Sequence, residues 1–400
     1  AGMIPNAEQE SILAAVVEVG LKVLVVKAGA GTGKTATLKM IEQVVPGKIQ
    51  YTAFNAPLVA EGKTKFTKAD CNTTHSLAFR AVGYKYKHRL NGERIKSWQV
   101  ARMMGIESLN IIMKGMGQPD AEGKPTDKLK VLQADFLAGQ VTVAIRKFCQ
   151  SADREIGSHH FGFIAGIDAV VNGERQSNNN AVVREYLIPI ARKAWVDICN
   201  VNGELPFSHD CYVKIWQLGE NNDRPVIAAD YILLDEAQDT APVFLDILKQ
   251  QTHATIILVG DDNQQIYEWR GAVNAMSSFK GAPSRMLSQS YRFGQAVADV
   301  ANAVLATLGE PTEMVMRGLP TIPSRVAEVS TPRCYLYRTN AGAVSRVMLE
   351  HANRKVHLIG GGDDVVKWCQ AAMDLQSKRG TRHPELCCFE TWKEVEEYSK

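Results

Sequence analysis

The sequence predicts an α/β fold built around a parallel β-sheet, with polar residues gathered at one edge of that sheet. Short apolar runs at residues 21–26, 231–234 and 255–259 end abruptly in glycine-rich or acidic residues. Stretches with helical periodicity alternate with these runs. Buried strands that alternate with helices indicate parallel pairing, and in such sheets ligands bind at the carboxyl ends of the strands. The polar residues after each run are therefore candidates for a functional site.

The predicted elements follow one another in a regular order. The first strand candidate, "LKVLVV", leads into a glycine-rich turn and a helical pattern, "TATLKMIEQVV", which Pro46 and Gly47 end. "IQYTAF" is the next strand candidate, and "YILLDEAQD" and "TIILVGDD" contain two later ones. These elements place a first α/β domain in residues 1–85 and 205–292.

The pattern changes between residues 86 and 204, where amphipathic stretches such as "VLQADFLAGQVTVAIRKFCQ" are joined by polar loops. We predict a mainly helical insertion into the α/β domain here. After residue 292 a helical stretch, "GQAVADVANAVLATLG", leads to the strand-like "RCYLYRT" and "KVHLIGG". Residues 293–400 are therefore predicted to form the start of a second α/β domain that is incomplete.

The bulk composition narrows the class of protein. A chain of 400 residues with 45% hydrophobic and 22% charged residues is typical of a soluble globular protein with two or three domains. No apolar run approaches the roughly 20 residues of a membrane span, and the first residues do not resemble a signal peptide. The eight cysteines contain no C-x-x-C pair, which indicates reduced intracellular thiols rather than disulfides or a zinc site. With a net charge of +3, any nucleic-acid surface must be local.

The segment "AGAGTGKT" has the composition of a phosphate-binding loop. It follows a predicted strand and opens a predicted helix, which is the context that such a loop requires. Its glycines let the backbone curl so that successive N–H groups and the helix N-terminus face a phosphate. Lys34 is expected to reach the β- and γ-phosphates of a nucleotide, and Thr35 is expected to bind Mg²⁺. The predicted nucleotide contacts of the loop are Ala28, Gly29, Ala30, Gly31, Thr32, Gly33, Lys34 and Thr35.

Two carboxylates follow a predicted strand in "ILLDEAQD". Asp235 is expected to hold Mg²⁺, and Glu236 is expected to orient and deprotonate the attacking water. The alternative is an acidic cap at the start of a helix. Because the phosphate loop is also present, the two motifs together predict a nucleoside triphosphatase.

Near the start of the chain, "PNAEQ" contains Asn6 and Gln9. A glutamine amide can pair with both hydrogen-bonding edges of adenine, which would favour ATP. The two residues also have the spacing of a helix capping box. The sequence leaves both interpretations open.

The segment "VGDDNQQIYEWRG" combines carboxylates and amides with aromatic residues. Gln264 follows the end of a predicted strand, where its amide is placed to meet the γ-phosphate or the attacking water. Tyr267 and Trp269 are either platforms on which bases stack or aromatic residues of the core. In "LSQSYRFG", Arg292 is a candidate arginine finger and Tyr291 a candidate for stacking on adenine.

In this order, "AGAGTGKT", "NTTHSLAF", "LLDEAQD", "VGDDNQQIYEWRGA" and "LSQSYRFG" resemble the motifs of superfamily 1 DNA helicases of the UvrD/PcrA/Rep type. "HDCYVKIWQL" and "QQIYEWRGAVNA" are similar to the helicase region of F-box DNA helicases. The resemblance extends from about residue 6 to about residue 361 and is most specific between residues 231 and 294. It implies a P-loop NTPase fold: a RecA-like motor domain, a 1B-like helical insertion and a partial second RecA-like domain.

The resemblance also implies a role for each matching residue. Gln9 would read adenine, and Gln264 would sense the γ-phosphate. Tyr291 and Arg292 would contact adenine and the γ-phosphate. The implied catalytic residues are Lys34, Glu236, Gln264 and Arg292. The implied DNA contacts are Phe54, Asn55, Thr74, His75, Tyr267, Trp269, Arg270 and Asn340. The basic run "YKYKHRLNGERIK" in the insertion is a candidate duplex contact, with a solvated loop as the alternative.

The implied function is that of an ATP-dependent helicase or translocase moving 3′ to 5′ on single-stranded DNA. It would couple Mg-ATP hydrolysis to strand movement in DNA repair or recombination. The expected partners are single-stranded DNA and junctions between single and double strands, with no membrane. The expected location is intracellular: cytoplasmic in a bacterium or phage, nuclear in a eukaryote. Two other hypotheses stay open: a non-translocating ATP-dependent DNA-binding module that regulates recombination, and an RNA motor of the same superfamily.

Two later motifs of the family, of the types "T-x-H-x-x-K-G" and "V-A-x-T-R", are not found before Lys400. The second of them carries a further arginine finger. We therefore expect the 400 residues alone to bind ATP and DNA but to hydrolyse ATP poorly and not to unwind DNA.

Overall fold

The computed structural model describes residues 4–53, 55–92, 95–171, 174–175, 177–219, 223–308 and 314–399. The strands are β1 Val23–Ala28, β2 Ile49–Ala53, β3 Asp70–Cys71, β4 Leu109–Met113, β5 Lys128–Leu132, β6 Val170–Val171, β7 Glu174–Arg175, β8 Tyr231–Asp235, β9 Thr255–Gly260 and β10 Ser284–Leu287. The α-helices are α1 Ala7–Val16, α2 Lys34–Val44, α3 Ala56–Lys65, α4 Thr74–Ala81, α5 Lys87–Leu90, α6 Ser97–Met104, α7 Ala134–Gln150, α8 Asn179–Cys199, α9 His209–Leu218, α10 Pro242–Lys249, α11 Gln295–Leu305, α12 Asn340–His351, α13 Asp363–Gln376 and α14 Trp392–Tyr398. Short 3₁₀ helices cover Gly83–Tyr86, Ser158–His160, Ala237–Asp239, Asp262–Gln264, Glu268–Arg270, Ala275–Ser278 and Ala306–Leu308.

Six strands form one sheet in the order β10–β1–β9–β8–β2–β3, and every neighbouring pair is parallel. The predicted parallel α/β fold is thereby confirmed. β9 lies between β1 and β8, with Ile256 opposite Val23 on one side and Ile232 on the other. Because all three strands run in the same direction, their carboxyl ends meet at one edge of the sheet. The phosphate loop and both acidic segments therefore begin side by side.

The central strands are rich in apolar residues because both faces of the sheet are covered. Every residue of β2 is buried, and all residues of β8 and β9 except the first are buried as well. On one side, Ile12 of α1 and Leu38 of α2 belong to the same core cluster as Leu24 and Val26 of β1. Burying each such side chain contributes about 1.5–3 kcal/mol to folding. This core holds the edge of the sheet in place.

The predicted helix after the phosphate loop is confirmed. α2 begins at Lys34, directly after Gly33, and ends at Val44. Pro46 follows within two residues and cannot continue a helix, since it lacks a backbone N–H. The loop is consequently held between a buried strand and a helix of fixed length.

The chain divides into two compact units. The first is made of Ala1–Lys96, Thr142–His160 and Ala191–Val326. The second is made of Ser97–Val141, Phe161–Ile190 and Ala327–Lys400. The first unit contains the six-stranded sheet. The predicted division into a first motor domain, an insertion and the start of a second motor domain stays a prediction.

The second unit combines helices with two small hairpins. β4 and β5 pair antiparallel, with Leu109 opposite Leu132, and β6 pairs antiparallel with β7. Helical periodicity alone did not predict these strands. Later in the same unit, Leu375 of α13 packs in a small cluster with Leu386 and Phe389.

Two predicted strands in the last part of the chain are wrong. "RCYLYRT" and "KVHLIGG" form no strand, and residues 327–399 contain α12, α13 and α14 as their helices. A strand is stable only when a neighbour satisfies its backbone N–H and C=O groups, and no strand lies beside these segments in the described residues. Their apolar residues consequently stay in solvent, with Leu336 91% exposed and Ile359 86% exposed.

Among the described helices, α8 is the longest at 21 residues, and it contains Pro189. No helix in the described ranges combines the length and the apolar composition that crossing a membrane requires. All eight cysteines are free thiols.

Candidate active site

The phosphate loop joins β1 to α2 and is tightly curled. Thr32 is buried, and its Oγ1 donates a hydrogen bond to the carbonyl oxygen of Gly29 at 2.8 Å. Gly31 has a φ of +72°, a conformation that favours glycine. A Cβ added at Gly31 would lie 2.6 Å from Cβ of Arg292 and 2.9 Å from Oγ of Ser290. The predicted loop therefore has no room for a side chain where it approaches the segment that follows β10.

Lys34 and Glu236 form an ion pair at the edge of the sheet. Nζ of Lys34 lies 2.7 Å from Oε1 of Glu236, and the two side chains are 17% and 26% exposed. One side chain comes from the start of α2 and the other from the residue after β8. The structure thus places the predicted phosphate-binding ammonium against the predicted catalytic carboxylate.

Asp235 is the last residue of β8 and is 3% exposed. Its Oδ2 accepts a hydrogen bond from the hydroxyl of Tyr51 at 3.0 Å, and its Oδ1 accepts one from the backbone N–H of Glu236 at 2.9 Å. Burial raises the pKa of Asp235, and the nearby charge of Lys34 opposes that rise. A divalent cation would relieve the cost of burying this carboxylate. The carboxylate of Asp235 and the hydroxyl of Thr35 are oxygen ligands of the kind that Mg²⁺ prefers.

Glu236 has a left-handed backbone, with φ 52° and ψ 45°. A residue other than glycine pays roughly 1–2 kcal/mol for this conformation, which is common at functional sites. Its Oε2 accepts a hydrogen bond from Nε2 of Gln238 at 2.7 Å. Both carboxylate oxygens of Glu236 are therefore engaged, one by Lys34 and the other by Gln238.

For Gln9, the structure shows the capping box that the sequence left open. Its side-chain Oε1 accepts from the backbone N–H of Asn6 at 3.0 Å, and its own N–H donates to Oδ1 of Asn6 at 2.9 Å. The same side chain also reaches α2, because its Nε2 donates to Oγ1 of Thr37 at 3.0 Å. The amide therefore lies beside the phosphate loop while it caps α1. Reading of adenine by Gln9 stays a prediction.

Tyr291 lies against the same end of the loop. Its ring carbon Cε2 is 3.6 Å from the position of a Cβ at Gly33, and Nε2 of Gln9 is 3.7 Å from that position. Its hydroxyl accepts a hydrogen bond from Nδ2 of Asn6 at 2.9 Å, and its backbone N–H donates to the carbonyl oxygen of Gly31 at 2.8 Å. The two residues predicted to contact adenine are thus brought together at the start of α2.

Two further residues, Glu8 and Arg317, which sequence reasoning missed, fix the chain after β10. Oε2 of Glu8 accepts from the backbone N–H of Ser288 at 2.9 Å, and Oε1 of Glu8 accepts from Nη2 of Arg317 at 2.9 Å. Arg317 also pairs with Gln289 in an isolated parallel bridge. No local pattern distinguishes these residues, because their partners lie about 280 to 309 positions away in the sequence. The network holds the segment of Tyr291 and Arg292 close to the loop.

A large cleft lies at the same edge of the sheet, within the first unit, with a volume of about 920 Å³. Among its lining residues are Glu236 and the predicted DNA contacts Thr74, His75, Tyr267 and Arg270. Residues of the wall that the sequence did not single out are Arg146, Lys147, Gln150, Asp210 and Asp239. One carboxylate, that of Glu236, therefore borders both the phosphate loop and the cleft.

The predicted aromatic platform is partly described. Tyr267 is half-buried and lines the cleft, and the guanidinium of Arg270 lies 5.3 Å from the centre of its ring. The side chain of Trp269 and the whole of Phe54 lie outside the described residues. Asn55 caps α3, since its Oδ1 accepts from the backbone N–H of Leu58 at 2.9 Å. Asn340 is the first residue of α12 in the second unit.

His75 is held by two helices of the cleft wall. Its Nε2 lies 2.9 Å from Oδ1 of Asp210 in α9, and Oδ2 of Asp210 accepts from Nε2 of Gln150 in α7 at 3.2 Å. The hydrogen bond with His75 holds the pKa of Asp210 below its ordinary value. Asp210 therefore orients the predicted DNA-contacting imidazole. Sequence alone could not show this, since 135 positions separate the pair.

A cluster of Asp153, His159 and His160 next to the cleft has ligand types suited to a metal. Oδ2 of Asp153 lies 2.6 Å from Nε2 of His159 and 3.0 Å from Nε2 of His160. Both ring nitrogens of His160 are engaged: Nδ1 lies 2.9 Å from the backbone nitrogen of Gly157, and Nε2 lies 3.3 Å from Oγ of Ser151. Hydrogen bonds that close the loop after α7 therefore account for the cluster.

Lys214 of α9 is fully buried behind the cleft wall. Its Nζ lies 4.2 Å from the centre of the Phe148 ring, and it donates hydrogen bonds to the carbonyl oxygens of Ser151, at 3.1 Å, and of Asp153. Burial lowers the pKa of Lys214 to about 8. Because this value is below that of an unfolded lysine, protonated Lys214 opposes folding at neutral pH. The opposition is full below about pH 8 and disappears as the pH rises past about 10.5.

We therefore expect the unchanged chain to gain stability relative to Lys214→Met as the pH rises. From about pH 7.5 to about pH 9.5, the difference in unfolding free energy should change by on the order of 1–2 kcal/mol. Urea unfolding at both pH values measures this, with exposed Lys249→Met as the control. A difference between the Lys214 variant and the unchanged chain that is the same at both pH values would contradict the prediction.

Comparison with known proteins shows a similarity to one family. The family model described as UvrD/REP helicase N-terminal domain matches residues 223–281, which contain β8, β9 and the acidic segments after them. F-box DNA helicase 1 of Gallus gallus is 29% identical over 377 residues, covering 88% of this chain and 33% of that protein. F-box DNA helicase protein 1 of Schizosaccharomyces pombe is 27% identical over 426 residues, covering 99% of this chain and 45% of that protein. The chain is similar to the UvrD-like helicases of superfamily 1.

A bacterial relative extends the similarity. DNA helicase II of Escherichia coli is 24% identical over 312 residues, covering 70% of this chain and 38% of that protein. This UvrD-like chain thus spans from a third to less than half of the length of these relatives. This similarity agrees with the parallel sheet, the phosphate loop and the order of the motifs along the chain.

Proposed function

We propose that this UvrD-like chain is the ATP-hydrolysing part of a motor that binds single-stranded DNA and moves along it from 3′ to 5′. The observation that carries the proposal is the position of Glu236. Its carboxylate is ion-paired with Lys34 of the phosphate loop at 2.7 Å and also lines the 920 Å³ cleft that contains the predicted DNA contacts. A nucleotide on one side and a nucleic acid on the other would therefore meet at one residue.

On the nucleotide side, the proposal assigns each residue a task that its position permits. Lys34 would exchange Glu236 for the β- and γ-phosphates of ATP, since an ammonium binds the more highly charged partner more strongly. The carboxylate of Glu236 would then be free to orient and deprotonate water. Asp235 and Thr35 would hold Mg²⁺, which neutralises phosphate charge when bound.

The remaining nucleotide contacts come from both ends of the first unit. Gln9 and Tyr291, which lie together beside Gly33, would bind adenine by hydrogen bonding and stacking. Arg292, whose backbone approaches Gly31, would act as an arginine finger within the chain. Gln264 would sense the γ-phosphate from the end of β9.

On the nucleic-acid side, we propose that the cleft binds single-stranded DNA. Tyr267, with Arg270 over its ring, offers a stacking face, and each stacked base contributes about 1–3 kcal/mol. Arg146 and Lys147 are exposed cations of the wall and would contact backbone phosphates. Thr74 and His75 would contact the strand from α4. The roles of Phe54, Asn55, Trp269 and Asn340 stay predictions from the family resemblance.

The curated relatives are named DNA helicases, which is the reason to propose DNA as the substrate. Polarity, junction binding, a place in DNA repair or recombination, and an intracellular or nuclear location are proposed from the family resemblance alone. The decisive experiment uses a form of the protein that also carries the two later motifs, and it measures phosphate release from Mg-ATP with and without a single-stranded DNA oligonucleotide. Stimulation by DNA supports the proposal, and equal rates with and without DNA contradict it.

Two further experiments test the other two hypotheses, a non-translocating DNA-binding module and an RNA motor. With the same longer form, strand displacement on duplexes with 3′ or 5′ single-stranded tails distinguishes a translocating motor from a clamp, because a clamp binds both tails and displaces neither strand. RNA and DNA oligonucleotides of one sequence are compared as stimulators in the same assay. Stronger stimulation by RNA would replace the DNA motor with an RNA motor.

The wall cations give a prediction for DNA affinity. Arg146→Glu or Lys147→Glu should weaken single-stranded DNA binding roughly tenfold at low salt, because each reversal removes a phosphate contact and adds repulsion. The slope of log K against log salt should also fall by about 0.7 for each lost contact. Fluorescence anisotropy across a salt series measures both quantities.

Lys22→Glu is the matched control for these reversals. Lys22 is exposed and immediately precedes β1, at the opposite edge of the sheet from the cleft. If Lys22→Glu weakens binding as much as the wall variants do, the effect is one of net charge and the proposed DNA path is wrong.

A further inference from the structure

The turn Ala237–Asp239, which follows Glu236, contains two polar side chains that the proposed chemistry does not use. Gln238 is 2% exposed and Asp239 is 4% exposed. Buried polar groups cost free energy unless they are hydrogen-bonded, so the partners of these two residues define what the turn does. Both have partners in the segment that follows β9.

The amide of Gln238 joins the ends of two neighbouring strands. Its Nε2 donates to Oε2 of Glu236 at 2.7 Å, and its Oε1 accepts from the backbone N–H of Asp261 at 3.1 Å. A Cβ added at Gly260 would lie 2.4 Å from Oε1 of Gln238, so this contact requires a glycine at the end of β9. One side chain thus connects the residue after β8 to the residue after β9.

The connection continues in both directions without a gap. On one side, Oε1 of Glu236 meets Nζ of Lys34 at 2.7 Å. On the other side, Oδ2 of Asp261 accepts from Nε2 of Gln264 at 2.6 Å. A line of hydrogen bonds therefore runs from the phosphate-loop ammonium through Gln238 to the predicted γ-phosphate sensor.

Asp239 ties the same turn to the cleft. Its Oδ1 accepts from the backbone N–H of Tyr267 at 3.1 Å. The next residue, Thr240, exchanges two backbone hydrogen bonds with Val273, at 3.0 and 2.8 Å. Both ends of the segment that contains Tyr267 and Arg270 are thus bonded to the turn.

We propose that Gln238 is the positioning residue that couples nucleotide binding to nucleic-acid binding, with Asp239 carrying the change to Tyr267; this inference rests on the proposed function. When phosphate takes Lys34 from Glu236, the carboxylate loses its cation, and Gln238 is the side-chain donor that remains to it among the described residues. Once the cation has left, the charge of the carboxylate is no longer neutralised, so its charge-assisted hydrogen bond with Gln238 strengthens. A shift of Gln238 moves Asp261, whose backbone N–H donates to it. It also moves the adjacent Asp239 and with it the backbone of Tyr267, which Asp239 holds.

The test measures linkage between the two ligands and does not require hydrolysis. The dissociation constant of a single-stranded DNA oligonucleotide is measured with and without a non-hydrolysable ATP analogue and Mg²⁺, and the ratio defines a coupling factor. Coupling between linked sites is typically about 5- to 150-fold, and the reciprocal measurement must give the same factor. For the unchanged chain we expect a factor of at least about five.

Two variants remove the link at Gln238. Gln238→Leu removes both hydrogen bonds, and Gln238→Glu keeps the size and the acceptor for Asp261 but repels Glu236. Both should bring the coupling factor to within about twofold of one, while the affinity for each ligand alone changes by less than about threefold. Gln251→Leu is the matched control. Gln251 is also 2% exposed, and its amide makes hydrogen bonds to Ile227, Pro225 and Ile247 near the opposite edge of the sheet.

Each outcome decides the inference. It is supported if both Gln238 variants lose coupling while Gln251→Leu keeps it. It is overturned if either Gln238 variant keeps the coupling factor of the unchanged chain, or if Gln251→Leu loses coupling equally. The inference is also overturned if the unchanged chain binds nucleotide and DNA independently, a result that would leave the proposed binding of both ligands intact. Failure of the unchanged chain to bind nucleotide or DNA would refute the proposed function, and the inference with it.

Discussion

Replacement of Lys34 by alanine is expected to reduce ATP hydrolysis by about two to three orders of magnitude and to weaken binding of ATP analogues strongly. The ammonium supplies positive charge where the β- and γ-phosphates would lie, at the first residue of α2. In the unchanged chain Lys34 lies 2.7 Å from the carboxylate of Glu236. Without Lys34, that negative charge would lie beside the phosphates with no cation to balance it. Phosphate release at saturating Mg-ATP and titration of a fluorescent ATP analogue measure the two effects.

Lys39→Ala is the control for this variant. Lys39 lies five residues later in the same helix, is only partly exposed and does not line the cleft. The Lys39→Ala variant should hydrolyse ATP at close to the rate of the unchanged chain. If Lys34→Ala keeps more than about a third of that rate, phosphate is bound elsewhere and the assignment of the loop is wrong.

Glu236→Gln should slow ATP hydrolysis, as Lys34→Ala does, but unlike Lys34→Ala it should not weaken the binding of ATP analogues. A glutamine cannot take a proton from water, so hydrolysis should fall by about 10²- to 10⁴-fold. The variant should nevertheless bind ATP analogues at least as tightly as the unchanged chain. In the structure Glu236 holds Lys34, and a neutral side chain no longer competes with phosphate for that ammonium.

The pair of measurements on Glu236→Gln separates catalysis from binding. Single-turnover hydrolysis gives the chemical step, and analogue titration gives the affinity. Glu61→Gln is the control, since Glu61 is an exposed carboxylate that is also ion-paired with a lysine, Lys65. Weaker analogue binding by Glu236→Gln would show that the carboxylate supports nucleotide binding directly, contrary to the competition argued here.

Several parts of the site were predictable because their signals are local. A buried parallel strand needs apolar residues along its whole length, and a phosphate loop needs glycines directly after it. "LKVLVV" and "AGAGTGKT" meet both requirements in consecutive residues, and β1, the loop and α2 follow in that order. The same reasoning placed Asp235 and Glu236 at the end of β8, and Gln264 after β9.

Local signals failed where a partner decides the outcome. "RCYLYRT" has the composition of a strand, yet it forms none, because no strand lies beside it among the described residues. Gln9 was ambiguous because its side chain could either cap α1 or read adenine. The structure shows the cap and an added contact with α2, and the reading of adenine stays a prediction. Gln238 and Asp210 lie in segments that resemble the family, but they were given no role, since a glutamine in a turn or an aspartate in a helix is unremarkable until its neighbour is known.

By itself, therefore, the sequence determined the identities and order of the strands that end in the site, and the chemistry available at those ends. Hydrophobic patterning and turn-forming residues act over a few positions, so they can be read without a structure. Tertiary structure alone decided the sheet order that sets β9 between β1 and β8, and with it the line of hydrogen bonds from Lys34 to Gln264. Hydrogen bonds of about 3 Å depend on where separate segments pack, and no spacing along the chain encodes that distance.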